Sequence, residues 1–126
     1  VDDLSSGHLN LVSNLKGLKM VLNDFTSDYI LEEVEKGSFD VVFHLAAIPR
    51  VSYSVENPAE TTLNNVTKTV KLMESCRGHI DRFVFSSSSS VYGGADDLPT
   101  PTSYLRDPKS PYAWQKSTIE DLLRLF

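Results

Sequence analysis

The run Tyr112-Ala-Trp-Gln-Lys116 sets a phenol and an amine four residues apart. On a helix that spacing puts both side chains on one face. A free phenol ionises near pH ~10, so it is mostly protonated at neutral pH. A neighbouring ammonium favours the phenolate and makes it a usable acceptor for the proton of a substrate hydroxyl. The pair alone has an ordinary reading too, as two polar groups on an amphipathic helix, so its meaning depends on what accompanies it. A second set of groups is the serine run Ser86 to Ser90, followed by Val91-Tyr92-Gly93. There a hydroxyl, Ser88 in particular, can hydrogen-bond a reacting oxygen, although a solvated polar turn has the same composition.

Two further stretches suit a bound ligand. In Phe43-His44-Leu45-Ala46-Ala47, small residues follow an apolar run, which allows close approach of a flat ligand or close helix–sheet packing. His44 lies inside that run and reads as a core histidine with a hydrogen-bond partner. Val1-Asp2-Asp3-Leu4 sets a carboxylate at a strand end, where an acid accepts hydrogen bonds from ribose hydroxyls and repels a 2′-phosphate. That favours NAD over NADP; a helix cap or turn acid is the alternative. No metal site is expected: His8, His44 and His79 are scattered, and neither H-x-x-x-H nor C-x-x-C occurs. Cys76 is the single cysteine, which rules out an intrachain disulfide and fits a reducing compartment. Following Val70, Leu72 and Met73, it reads as a buried helix residue.

The elements that must position these groups alternate. Leu18 to Leu22, Asp40 to Leu45 and Arg82 to Ser86 are short apolar runs of the kind that form buried parallel strands, with Val1 as the tail of an earlier one. Helices are expected over 26–36 (cap at Thr26 or Ser27, apolar Ile30, Leu31 and Val34, stop at Gly37) and 57–77 (Asn57 cap, Pro58 first, stop at Gly78). A third starts at the Ser110 cap and Pro111 and runs through Ile119, Leu122 and Leu123. The stretch from Gly93 to Pro111 reads as a loop. Strands alternating with helices predict a parallel α/β sheet with right-handed crossovers. Ligands of such sheets lie beyond the carboxyl ends of the strands, here Asp2, Asp24, Leu45 to Ile48, and Ser86 to Ser90.

With 126 residues, 40% hydrophobic and 23% charged, the composition is that of one ordinary globular domain. A net charge of −5 argues against a nucleic-acid partner. No run approaches the roughly 18 apolar residues of a membrane span, and no signal peptide opens the chain, so a cytoplasmic location is expected. The chain opens on Val1, at what reads as a strand end, and stops at Phe126 inside a helix. An internal piece of a longer protein is therefore expected.

In order, V-D-D-L-S-S-G (1–7), N-D-F (23–25), H-L-A-A (44–47), E-N-P (56–58), N-N-V (64–66), S-S-S-S-S-V-Y-G (86–93) and S-P-Y-A-W-Q-K (110–116) resemble the extended short-chain dehydrogenase/reductase family of NAD-dependent epimerases and dehydratases. Within it they are most similar to the UDP-glucose 4-epimerase group. The resemblance implies a Rossmann-type doubly wound parallel sheet, truncated. Residues 1–126 would form a partial NAD-binding domain, with the first strand, its glycine loop and the C-terminal substrate domain absent. It implies Tyr112 as base, Lys116 on the nicotinamide ribose beside it, and Ser88 as the catalytic serine. It assigns Asp2 to the adenosine ribose, with Asp3, Leu4, Ser5, Ser6 and Gly7 as the loop beside it, and Asp24 and Phe25 to the adenine. Leu45, Ala46, Ala47 and Ile48, with Ser86, would line the cofactor, and Asn64 would support it from the long helix.

The implied activity is 4-epimerisation of a UDP-sugar by transient oxidation at C4. The expected partners are that substrate, with no nucleic acid or membrane, and a second copy of the chain. The homodimer would use helices 57–77 and 111–126, with Val70 and Met73 or Ile119 and Leu123 giving apolar contacts. Dehydratases of the family usually carry an Asp-Glu pair before V-Y-G, where this chain has Ser89 and Ser90. Nucleotide-sugar decarboxylation and non-catalytic dinucleotide binding are rival readings of the same residues. Three departures stand out. Asp3 replaces the commoner asparagine, Pro49 and Arg50 stand where many epimerases have lysine, and no G-x-x-G-x-x-G run occurs. Poor NAD binding and no turnover are expected of these 126 residues alone.

Overall fold

The computed structural model describes residues 1–8, 10, 15–94, 96 and 98–126. Its sheet is built from two parallel strands, β1 (Val41–His44) and β2 (Arg82–Phe85). Both are rich in β-branched and aromatic residues, which pack well on a pleated surface. Val41 pairs with Arg82 and His44 with Phe85, and the ladder is prolonged by Ser86 N–H donating to the His44 carbonyl at 3.1 Å. Side chains alternate between faces. Val42 and Phe83 pack against Leu31, Val34, Leu72 and Cys76, the main hydrophobic cluster. On the opposite face Val41, Phe43 and Val84 are exposed, Phe43 at 68%.

The strand expected over Leu18 to Leu22 is not formed as such. Only one parallel bridge joins Asp2 and Leu22, with Asp2 N–H donating to the Val21 carbonyl and Asn23 N–H to the Asp2 carbonyl, each at 3.2 Å. The Asp2 carboxylate accepts from Leu4 N–H at 2.7 Å and that of Asp3 from Ser5 N–H at 2.9 Å, which turns the chain at once. Leu4 accordingly sits at a φ of 56°.

Among the described residues, four helical stretches accompany the sheet, and two of them carry Leu31, Val34, Leu72 and Cys76 onto its covered face. Helix α1 (Asp28–Glu35) buries Ile30, Leu31 and Val34 and stops at Gly37, which takes a φ of 71°. Ser27 occupies the expected cap position without a side-chain cap bond, and Thr26 Oγ1 donates to Asp24. A short α2 (Val51–Glu56) was not expected from the sequence. The helix read over 57–77 is α3 (Pro58–Thr62), a five-residue π turn (Leu63–Thr67) and α4 (Lys68–Cys76) in unbroken succession. Asn57 occupies the cap position without a side-chain cap bond; its Nδ2 reaches the Tyr53 carbonyl at 3.5 Å. After β2 a 3₁₀ turn (Ser89–Tyr92) leads into the long loop, and α5 (Pro111–Leu123) closes the chain.

Met73 and Ile119, two of the side chains offered for a dimer contact, lie in the chain's own interior. Amphipathic spacing marks a face as apolar but does not say what covers it. On the same helical stretches Leu63 and Trp114 are exposed instead. Cys76 is buried, and burial pushes its thiol up to about 11. No helix among the described residues is long and apolar enough to cross a membrane.

Candidate active site at the carboxyl edge of the sheet

The start of α5 is fixed locally. Ser110 Oγ accepts from Ala113 N–H at 3.1 Å, Pro111 supplies a preset φ, and Tyr112 N–H donates to Ser54 Oγ at 3.1 Å. These bonds set the helix phase and leave Tyr112 and Lys116 buried, 8% and 4% exposed. The Lys116 ammonium donates to the Ser86 carbonyl at 2.8 Å. It lies 4.6 Å from the centroid of the Phe85 ring and 5.9 Å from that of Tyr112. Burial lowers its pKa, while the carbonyl and the two ring faces offer partial negative charge. The amine is thus held between the phenol and the rim of β2.

The serine run divides its work. Ser86 presents its carbonyl, Ser87 Oγ donates to the Glu120 carboxylate, and Ser88 caps the 3₁₀ turn by accepting from Ser90 N–H at 3.2 Å. Ser90 Oγ also donates to Ser88 Oγ at 2.8 Å. The turn packs on α5, so Ser88 shares the rim with the Tyr112 helix, but its hydroxyl is engaged with Ser90 rather than with the phenol. Arg106, unremarked in the sequence, straps the loop to α5 by donating to the Ser117 carbonyl at 3.0 Å and pairing with Glu120 and Asp121.

Along the rest of the rim, Leu45 and Ala46 are exposed, and Ala47 and Ile48 half-buried. Asn65, not Asn64, fixes this segment. Its Oδ1 accepts from Ile48 N–H at 2.7 Å and its Nδ2 donates to the Ile48 carbonyl at 3.0 Å. Asn64 reaches only Asn65, at 3.3 Å. The doublet N-N-V pointed to this place; the π turn decides which of the two faces inward.

Asp2, in the isolated bridge, and Asp3, Ser5 and Ser6 beyond it lie exposed, with Leu4 and Gly7 partly covered. Backbone and side-chain hydrogen bonds from Ser5 lower the Asp3 pKa. For Asp24, burial by itself would raise the pKa; hydrogen bonds from Lys68 and Thr26 outweigh it and bring the carboxyl down to about 2. Lys68, on α4, was another residue the sequence did not flag. Phe25 is half-buried, with its ring packed against the hydrophobic cluster, 4.9 Å from that of His44. His44 is buried, as read, with Nε2 2.8 Å from Thr69 Oγ1.

This donor set suits a dinucleotide. It offers a carboxylate at the Asp2–Leu22 bridge for ribose hydroxyls, the exposed Ala46 and half-buried Ala47 beyond β1 for a flat ring, and an ammonium beside a phenol. Among the described residues, no group of three or more His, Cys, Asp or Glu could hold a metal ion.

Comparison with known proteins agrees. The family model described as the NAD dependent epimerase/dehydratase family matches residues 3–126. The chain belongs to this family. It is 35% identical over 115 residues to a bifunctional UDP-glucose 4-epimerase and UDP-xylose 4-epimerase of Pisum sativum, a match covering 89% of this chain and 33% of that protein. A solved UDP-N-acetylglucosamine 4-epimerase from Methanobrevibacter ruminantium M1, in complex with UDP-N-acetylmuramic acid, superposes with a TM-score of 0.85 at 37% identity. That match covers 99% of this chain and 41% of the other. A UDP-glucose-4-epimerase structure from Stenotrophomonas maltophila, with bound NAD and formylated UDP-arabinopyranose, gives 0.86 at 25% identity, covering 98% and 39%. The fold is thus of the Rossmann type, and the chain spans about two-fifths or less of the length of these relatives.

Proposed function

We propose that this chain supplies the catalytic edge of an NAD-dependent nucleotide-sugar 4-epimerase. The observation that carries the reading is the Lys116 ammonium seated on the Ser86 carbonyl, with Tyr112 one helical turn before it on the same buried face. Tyr112, as phenolate, takes the proton from the C4 hydroxyl of the sugar. The positive charge of Lys116 favours that anion. Ser88, whose Oγ accepts from Ser90, keeps its own proton for a hydrogen bond that steadies the C4 oxygen. NAD would supply both the acceptor for the C4 hydride and its donor on return, so no net oxidation results. The 4-keto sugar turns over in the pocket, so that return of the hydride to the opposite face of C4, with the proton given back by Tyr112, yields the inverted hydroxyl.

Asp2 would hold the adenosine ribose, with Asp24 near the adenine, Leu45 to Ile48 along the cofactor, and Lys116 at the nicotinamide ribose. Relatives named for UDP-glucose and for UDP-N-acetylglucosamine support a UDP-sugar as substrate. Serines at 89 and 90, where a dehydratase would carry acids, support epimerisation over elimination. A cytoplasmic homodimer completes the reading. The exposed Trp114 on α5 and Leu63 on the π turn are its apolar candidates, and sedimentation of the full-length protein checks it.

The decisive variant is Tyr112→Phe in the full-length protein. Loss of the base should lower kcat by about 100-fold or more, followed as C4 inversion of UDP-sugars. Turnover near that of the unaltered protein excludes Tyr112 as the base.

A further inference from the structure

Behind the site lies a chain of buried amides that the proposed proton and hydride transfers do not use. Gln115 is 0% exposed and stands next to Lys116 on α5. Its Oε1 accepts from Asn65 Nδ2 at 2.9 Å, and its Nε2 donates to Thr61 Oγ1 at 3.0 Å and Thr62 Oγ1 at 3.1 Å. The direction of every bond is dictated from both ends. Ile48 N–H can only donate, so Asn65 must turn its oxygen toward it and its amino group toward Gln115. At the far end the single Thr61 hydroxyl proton goes to the Asn57 carbonyl at 3.0 Å, so Thr61 can only accept from Gln115. Only one orientation of each amide satisfies the whole chain, and a buried polar network of that kind holds its members rigidly.

What it joins is the cofactor-lining segment after β1, the π turn, and the helix bearing Tyr112 and Lys116. We propose that Gln115 is a positioning residue: through Asn65 it sets the distance between the Tyr112–Lys116 face of α5 and the Leu45–Ile48 segment. This rests on the proposed epimerase function. Proton and hydride leave the same C4–OH group, so the phenol and the cofactor-lining segment must keep a fixed separation, and a shift of about 1 Å in such a geometry costs on the order of 100-fold in rate.

Gln115→Met in the full-length protein keeps length and bulk and removes both amide functions. The expected result is a kcat lowered by roughly 10- to 100-fold, with KM for the UDP-sugar changed less than about threefold. Exchange of the Ile48 amide hydrogen should quicken, because Asn65 loses its anchor. Gln115→Glu adds a readout that a general loss of packing would not move. A neutral carboxyl can accept from Asn65 and donate to a threonine, whereas a carboxylate cannot donate. Its kcat relative to the unaltered enzyme should therefore decline as pH rises, while that of Gln115→Met stays level. Unchanged kcat per folded molecule in Gln115→Met, or lowered kcat with Ile48 exchange unaltered, overturns the proposal. So does a relative kcat of Gln115→Glu that is level with pH. If the unaltered protein inverts no UDP-sugar, the proposed function fails instead. Ile48 exchange then tests the Gln115–Asn65 coupling by itself.

Discussion

His44 sits in a cage of aromatic rings, with Phe25, Phe83 and Phe85 centred 4.9 to 6.0 Å away. Thr69 Oγ1 donates its proton to the Asn65 carbonyl at 2.9 Å, so it can only accept from the ring, and the proton is assigned to Nε2. Burial, and secondarily the Lys116 ammonium, push the imidazole down to about 4, against an ordinary value of 6.5. The unfolded chain takes up this proton as pH falls below 6.5, and the folded chain only near 4, so the folded state loses stability across that window. The full difference amounts to about 3 kcal/mol as an order of magnitude. Unfolding midpoints at pH 7 and 4.5 should fall less for His44→Gln than for the unaltered full-length protein. An equal fall in both would show that another group controls the acid limb.

Among the elements, the junction of the 3₁₀ turn with the loop leaves no room for a side chain at Gly93. Asp107 N–H donates to the Val91 carbonyl at 3.0 Å and brings the far end of the loop onto the turn. Gly93, in between, has a φ of 68°, and a Cβ there would collide with the Asp107 carbonyl oxygen. Gly93→Ala should therefore cost more than the ~1–2 kcal/mol of a left-handed non-glycine residue. Gly94 has a φ of 92° with nothing within 4 Å, so Gly94→Ala isolates the conformational part. Thermal unfolding of the two variants compares them, and equal destabilisation would mean that the loop gives way. Helix α5 was legible because its cap and proline are neighbours in sequence. The π turn was not, since one extra residue per turn shifts the phase on which a 3.6-residue reading depends. That shift is why Asn65 rather than Asn64 reaches the rim.

At the scale of the whole chain, helices cover one face of the sheet. Phe43 and Leu45 are 68% and 69% exposed on and beside the open one. No glycine run of the dinucleotide type occurs in the sequence to cradle a pyrophosphate. The 126-residue chain by itself should therefore hold NAD with a Kd weaker than about 1 mM and invert no UDP-sugar. Calorimetric titration with NAD, alongside a turnover assay, checks both. Micromolar affinity or measurable inversion would mean that the described rim binds cofactor without further support.

Sequence alone determined the order of the elements around β1, β2 and α5, the burial of His44 and Cys76, and the face shared by Tyr112 and Lys116. Those follow from local periodicity, capping and side-chain type, which act over a few neighbouring residues. Tertiary structure decided that Leu18 to Leu22 pairs at a single bridge, that Phe25 packs against the core, and that Met73 and Ile119 are turned inward. It also decided that Asn65 and Gln115 meet across fifty positions of sequence. Each of these depends on which distant segment arrives to supply a hydrogen bond or cover an apolar surface, and periodicity carries no information about that.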